Sequence, residues 1–155
     1  MKSSRQGLNR QRGAAAVELA LVLPILILLL VFTMFFARYF WHYSVAYKAA
    51  FDSARYLSTI SEQEMREGAL ARAAENITNE IILTEIAELR PRGSVRPMVT
   101  ILCGQVLCRG IGGLPLPQTV SVSINMDMHD DIFGLDLGRY GIPISVRTEV
   151  RYVGN

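Results

Sequence analysis

Glu18 is the acid with the strongest claim on chemistry, because it is the one charged residue between positions 13 and 37. A carboxylate placed in hydrocarbon costs about 2.5–3.5 kcal/mol at a helix centre, so such a group marks a functional position that wants a positive partner. Glu18 lies near the start of the apolar run, where the cost is smaller and a cation can reach it. Gly13 stands five residues before it, in Arg12-Gly13-Ala14-Ala15-Ala16-Val17-Glu18. Upstream of the glycine, Lys2, Arg5, Arg10 and Arg12 are unopposed by any acid. Two other groups carry reactive residue types: Cys103 with Cys108, and His129-Asp130-Asp131.

The element that must hold Glu18 is the apolar run itself. Residues 14–37 make about 24 positions, roughly 36 Å of helix, and about 20 are enough to cross a bilayer core. Positive charge before the run keeps the leader cytoplasmic and sends everything after Arg38 outward. A secretory signal peptide has a shorter apolar stretch and a small-x-small cleavage site, and Arg38-Tyr39-Phe40-Trp41-His42-Tyr43 offers none. A plain uncleaved anchor accounts for length and charge, but for neither Glu18 nor Gly13. Pro24, inside the run, removes one backbone hydrogen bond. Membrane helices tolerate this through local readjustment, so a kink is expected there.

Arg12-Gly13-Ala14-Ala15-Ala16-Val17-Glu18-Leu19, continuing through Val22-Leu23-Pro24 to Leu30, resembles the signature of TadE-like proteins, the pseudopilins of tight-adherence pilus systems. The likeness is strong over about the first 60 residues and only one of layout beyond. The resemblance implies that a prepilin peptidase cuts after Gly13, so that the mature chain begins at Ala14. It also implies that Glu18 pairs with the freed amine of a neighbouring subunit, offsetting the desolvation of both charges. Leu19 departs mildly from the Phe common at that place.

Beyond Arg38, the aromatics Tyr39, Phe40, Trp41, Tyr43 and Tyr47 suit a membrane–water interface. No breaker occurs between Pro24 and Gly68, so one stem helix is expected over residues 14–57. Its outer part carries Ala46, Ala49, Ala50 and Ala54. Ser61 and Glu64 have the spacing of a capping box, which starts a second helix near Glu62. Met65, Ala69, Ala73, Ile77 and Ile81 form its expected core stripe. A shift to Ile82, Ile86 and Leu89 predicts a bend around Thr78-Asn79, and Pro91-Arg92-Gly93 ends the helix.

From there the apolar period falls to two. Residues 95–103 (Val99 and Ile101 on one face), 120–128 and 142–152 read as three antiparallel strands, with Pro143 harmless at a strand start. The expected organisation is therefore α+β: a basic leader at 1–13, a membrane helix at 14–37, a stem continuation at 38–60 and an extracytoplasmic domain at 61–155. Cys103 and Cys108 fall in that domain, where oxidation is favoured. A metal site wants more ligands than are near, and the spacing is wrong for a redox or haem motif. A disulfide is the favoured reading and would contribute about 2 kcal/mol.

His129-Asp130-Asp131 at a strand end reads as a solvated turn, and His42 sits among interface aromatics. No phosphate loop or nucleophile elbow is present. No catalysis, metal or cofactor is expected. Removing the leader's four positive charges turns the formal net charge of +2 into −2, which disfavours nucleic acid. The reading is a minor pilin or pseudopilin of the bacterial inner membrane, crossing it once, its N-terminus cytoplasmic. Its expected partners are prepilin peptidase, other pilins and the pilus assembly proteins. A type II secretion or competence pseudopilin, a TadF- or TadG-like relative and an unprocessed membrane-anchored binding domain stay open.

Overall fold

The computed structural model describes residues 6–89, 97–129 and 141–154, with side chains from Gly13 onward. Two compact units divide at Arg38 and Tyr39. The first helix, α1 (Gln6–Thr59), contributes to both.

In the first unit α1 passes through Pro24 without a break. Every residue from Gly13 to Leu30 is exposed, and the large apolar side chains from Val17 to Leu30 are between 48% and 68% accessible. A helix apolar all round has no water-facing side, and its natural surroundings are lipid or other helices. It is the one helix among the described residues long and apolar enough to cross a membrane. The helix is already formed at Gln6, the first described residue, upstream of the expected start at Ala14.

In the second unit α1 turns one small-residue face inward. Ala46, Ala49, Ala50 and Ser53 are fully buried, with Ala54 and Leu57 beside them. Small side chains let the helix backbone approach its neighbours closely. After Ile60, α2 (Glu62–Arg66) and α3 (Gly68–Ile86) follow, then a 3-10 turn (Ala87–Leu89). Four antiparallel strands complete the unit: β1 (Met98–Cys103), β2 (Val106–Leu107), β3 (Thr119–Met128) and β4 (Ile142–Arg151), in the order β2-β1-β3-β4. The class is α+β. The core is formed by Ile82 and Ile86 of α3, Val120, Val122 and Ile124 of β3, and Ile144 and Val146 of β4, all nearly inaccessible.

The sheet has four strands rather than the three expected. β2 is two exposed residues without alternation, so no periodicity announces it. It forms because the chain folds back at once after β1, pairing Leu102 with Leu107 and Cys103 with Val106. Gly104, at φ 65°, supplies the turn. Of the first expected strand, Val95 and Arg96 lie outside the described residues, and Met98–Cys103 is extended.

The second helix also differs. No bend forms at Thr78-Asn79, and the break comes at Glu67 (φ −83°, ψ 118°), between α2 and α3. The buried stripe of α3 is Ala71, Ala74, Thr78, Ile82 and Ile86, while Ala69, Ala73 and Ile77 are exposed. A strict four-residue spacing drifts about 40° per step round a helix of 3.6 residues per turn, so a stripe counted from Met65 across the break leaves the core. Thr78 is buried because its hydroxyl donates to the Ala74 carbonyl at 2.7 Å. That bond removes the cost of an unpaired buried hydroxyl.

The capping box at Ser61 is present. The Ser61 hydroxyl accepts from the Glu64 amide, and the Glu64 carboxylate accepts from the Ser61 amide at 2.8 Å. Those Ser61 bonds, the backbone one foremost, hold the Glu64 carboxyl below its ordinary 4.5. A depressed acid stabilises the fold above its unfolded pKa, and the contribution is lost as pH falls through the folded one. The first turn of α2 should therefore fray in acid, with the Ser61 amide shift titrating at a midpoint below 4.5 by NMR. Glu64→Gln should flatten that titration. A midpoint at or above 4.5 would contradict the cap.

Candidate functional site

Gly13, Ala14 and Glu18 lie on one uninterrupted stretch of α1. Four residues are about one helical turn, so Ala14 and Glu18 occupy neighbouring places on the same side of the helix. All three are exposed, and a Cβ built on Gly13 meets nothing within 4 Å. Among the described residues no ion pair reaches Glu18. The carboxylate is thus accessible, low on an apolar helix, and open to a cation from another chain. The basic side chains upstream of Gly13 lie outside the described side chains.

The other reactive groups are arranged structurally. Cys103 and Cys108 form a disulfide, with Cα atoms 5.1 Å apart and both residues buried. The Cys103 sulfur lies 3.3 Å from the Met65 sulfur. His129 follows the end of β3, beside Gly141, while Asp130 and Asp131 fall outside the described residues. No group of three metal-ligating side chains occurs among the described residues. His42 is buried and packs edge-on against Trp41, with ring centroids 5.3 Å apart.

A shallow depression is lined by Glu62, Gln63, Arg66, Glu67 and Gly112. Its guanidinium is already committed: Arg66 donates to Glu62 at 2.9 Å and to the Gly112 and Leu114 carbonyls at 3.2 Å. Lys48 bridges Glu85 at 2.8 Å and Asp52 at 3.7 Å. The Glu85 hydrogen bond raises the ammonium pKa. The Tyr152 hydroxyl donates to the Ile60 carbonyl at 3.0 Å, and burial raises its pKa. The Tyr152 contact fixes the end of the stem to the end of the sheet, and the Lys48 bridge ties the stem to α3.

Sequence reasoning missed the seam between the 108–114 loop and the α2–α3 junction. Ile111 and Gly112 donate their amides to the Met65 and Arg66 carbonyls at 3.1 and 3.2 Å. The glycines of Gly110-Ile111-Gly112-Gly113 were the one signal of it, but nothing in the linear text names what they approach.

The arrangement defines a class: an apolar helix suited to single-pass anchoring, carrying a small disulfide-bearing α+β domain and an exposed acid near the start of its apolar run. Residues 13–55 match the model of a family described as TadE-like protein. The resemblance drawn from Gly13, Glu18 and Pro24 is thus matched over the stem, residues 13–55. The matched segment begins at Gly13 and ends before α2. No curated protein and no solved structure matches the chain.

Proposed function

We propose that the chain is a minor pilin or pseudopilin of a tight-adherence pilus. Residues 1–13 serve as a leader that a prepilin peptidase removes on the cytoplasmic face of the inner membrane. The new amine on Ala14 and the Glu18 carboxylate of an adjacent subunit then neutralise one another at the membrane edge. That pairing sets the depth and register at which stems come together, because either charge left alone is penalised. The domain after the stem faces the extracytoplasmic side, where its disulfide persists. Partners are the peptidase, other pilins and the pilus assembly proteins.

The observation that carries this reading is the joint position of Gly13 and Glu18. The family match starts at the glycine, and the acid lies exposed five residues on without a partner among the described residues. N-terminal sequencing of the membrane-extracted chain, from cells containing the peptidase, tests it. The expected first residue is Ala14, and Gly13→Leu should leave the leader attached. A wild-type chain still starting at Met1 overturns the proposal and favours an unprocessed anchor.

A further inference from the structure

We propose that the Cys103–Cys108 disulfide is a redox-sensitive clamp that holds the 108–114 loop on the α2–α3 junction. Three observations converge on Met65, which is 1% accessible, and its neighbour Arg66. Its side-chain sulfur touches Cys103 at 3.3 Å. Its carbonyl, near the end of the five-residue α2, accepts the Ile111 amide at 3.1 Å. The next carbonyl, that of Arg66, accepts the Gly112 amide at 3.2 Å, while the Arg66 guanidinium returns to the Gly112 and Leu114 carbonyls.

A helix end leaves carbonyls without intrahelical partners. Here α2 stops at Glu67, and the donors that satisfy its last carbonyls come from the loop instead of from the next turn. The elbow between α2 and α3 therefore exists in this form only while the loop is docked.

Docking in turn depends on the disulfide. Between Gly104 and Leu114 only Cys108 and Ile111 are buried. Strand β2 adds just two residue pairs to hold the loop to β1. Such a short ladder is marginal by itself. The covalent link fixes Cys108 beside β1 and delivers Ile111 and Gly112 to the helix end.

Reduction breaks the sulfur–sulfur bond. An external dithiol supplies two electrons and two protons, leaves two thiols on the chain, and becomes a disulfide itself. The loop then opens, Met65 and Arg66 lose their donors, and the elbow loosens. The sheet core of β3 and β4 does not depend on this contact and stays closed. Oxidation after export thereby becomes the event that completes the domain's shape.

The test is amide hydrogen exchange on the full chain in detergent, with and without dithiothreitol, repeated on Cys103→Ser/Cys108→Ser. Reduction should speed exchange of the Ile111 and Gly112 amides by about tenfold or more, the loss expected when one modest hydrogen bond opens. The β3–β4 amides should keep their protection. Unchanged exchange at Ile111 and Gly112 after reduction overturns the clamp. So does an equal loss across β3 and β4, which would make the disulfide a global staple. A disulfide that resists dithiothreitol until the domain unfolds also overturns it. If the serine variant does not fold, the wild-type dithiothreitol comparison decides alone.

Discussion

Glu18→Gln should lower pilus incorporation by about a hundredfold while leaving leader removal intact. Breaking a pair in a low-dielectric setting costs about 3–5 kcal/mol, because the remaining charge is stranded. Near the membrane edge the lower end applies, and each 1.4 kcal/mol is about a factor of ten. Glutamine keeps the shape and hydrogen-bonding capacity of the side chain, so the effect isolates charge. On the proposed reading, removal of the leader depends on Gly13, five residues away, and should proceed. The measurement is the variant's yield in sheared pili by immunoblot, beside N-terminal sequencing of the membrane fraction. Normal incorporation of a correctly processed Glu18→Gln chain would exclude the pairing. Failure of both readouts would instead implicate Glu18 in recognition by the peptidase.

Gly110→Ala should destabilise the C-terminal domain by about 3 kcal/mol, the sum of two separate penalties. Gly110 has φ 96°, a conformation side chains rarely adopt, and a Cβ there would come within 2.6 Å of the Gly68 Cα. Strained backbone costs about 1–3 kcal/mol, and forced overpacking a similar amount. Gly112→Ala is the control. Its φ is 55°, but nothing lies within 4 Å of the built Cβ, so only the backbone cost of about 1 kcal/mol remains. Thermal unfolding followed by near-ultraviolet circular dichroism should show a drop of about 10 °C or more for Gly110→Ala and a much smaller one for Gly112→Ala. Equal shifts would mean that the loop does not press on Gly68.

The contrast between the two glycines also shows where sequence reading succeeds. Local signals were legible when their physics is local. Ser61 and Glu64 sit three residues apart, so the capping box needs no distant partner and is present. Strand β3 alternates apolar and polar residues over ten positions and β4 does so apart from Pro143 and Thr148, and the inner faces are largely buried as the alternation requires. The disulfide follows from two cysteines five residues apart. The stem's apolar helix and its family signature lie in the same contiguous text.

What could not be read depends on contacts across the chain. The α2–α3 break sits at Glu67, a residue with no helix-breaking tendency beyond that of the following Gly68. The loop 44 residues downstream of Glu67, at Ile111, supplies the donors that stabilise it. With the break unseen, a stripe counted forward from Met65 takes the wrong phase and places Ile77 inside, where the fold buries Thr78 instead. Strand β2 escaped because two residues have no period.

The linear text alone determined that this chain carries a membrane-length apolar helix with one acid near its start, since side-chain hydropathy and charge are properties of composition and spacing. The folded domain decided which face of α3 is buried, where the second helix breaks and what Gly110 must avoid. Those outcomes depend on which groups meet in space, and hydrogen-bond donors from one segment can satisfy carbonyls in another only after the sheet has brought them together.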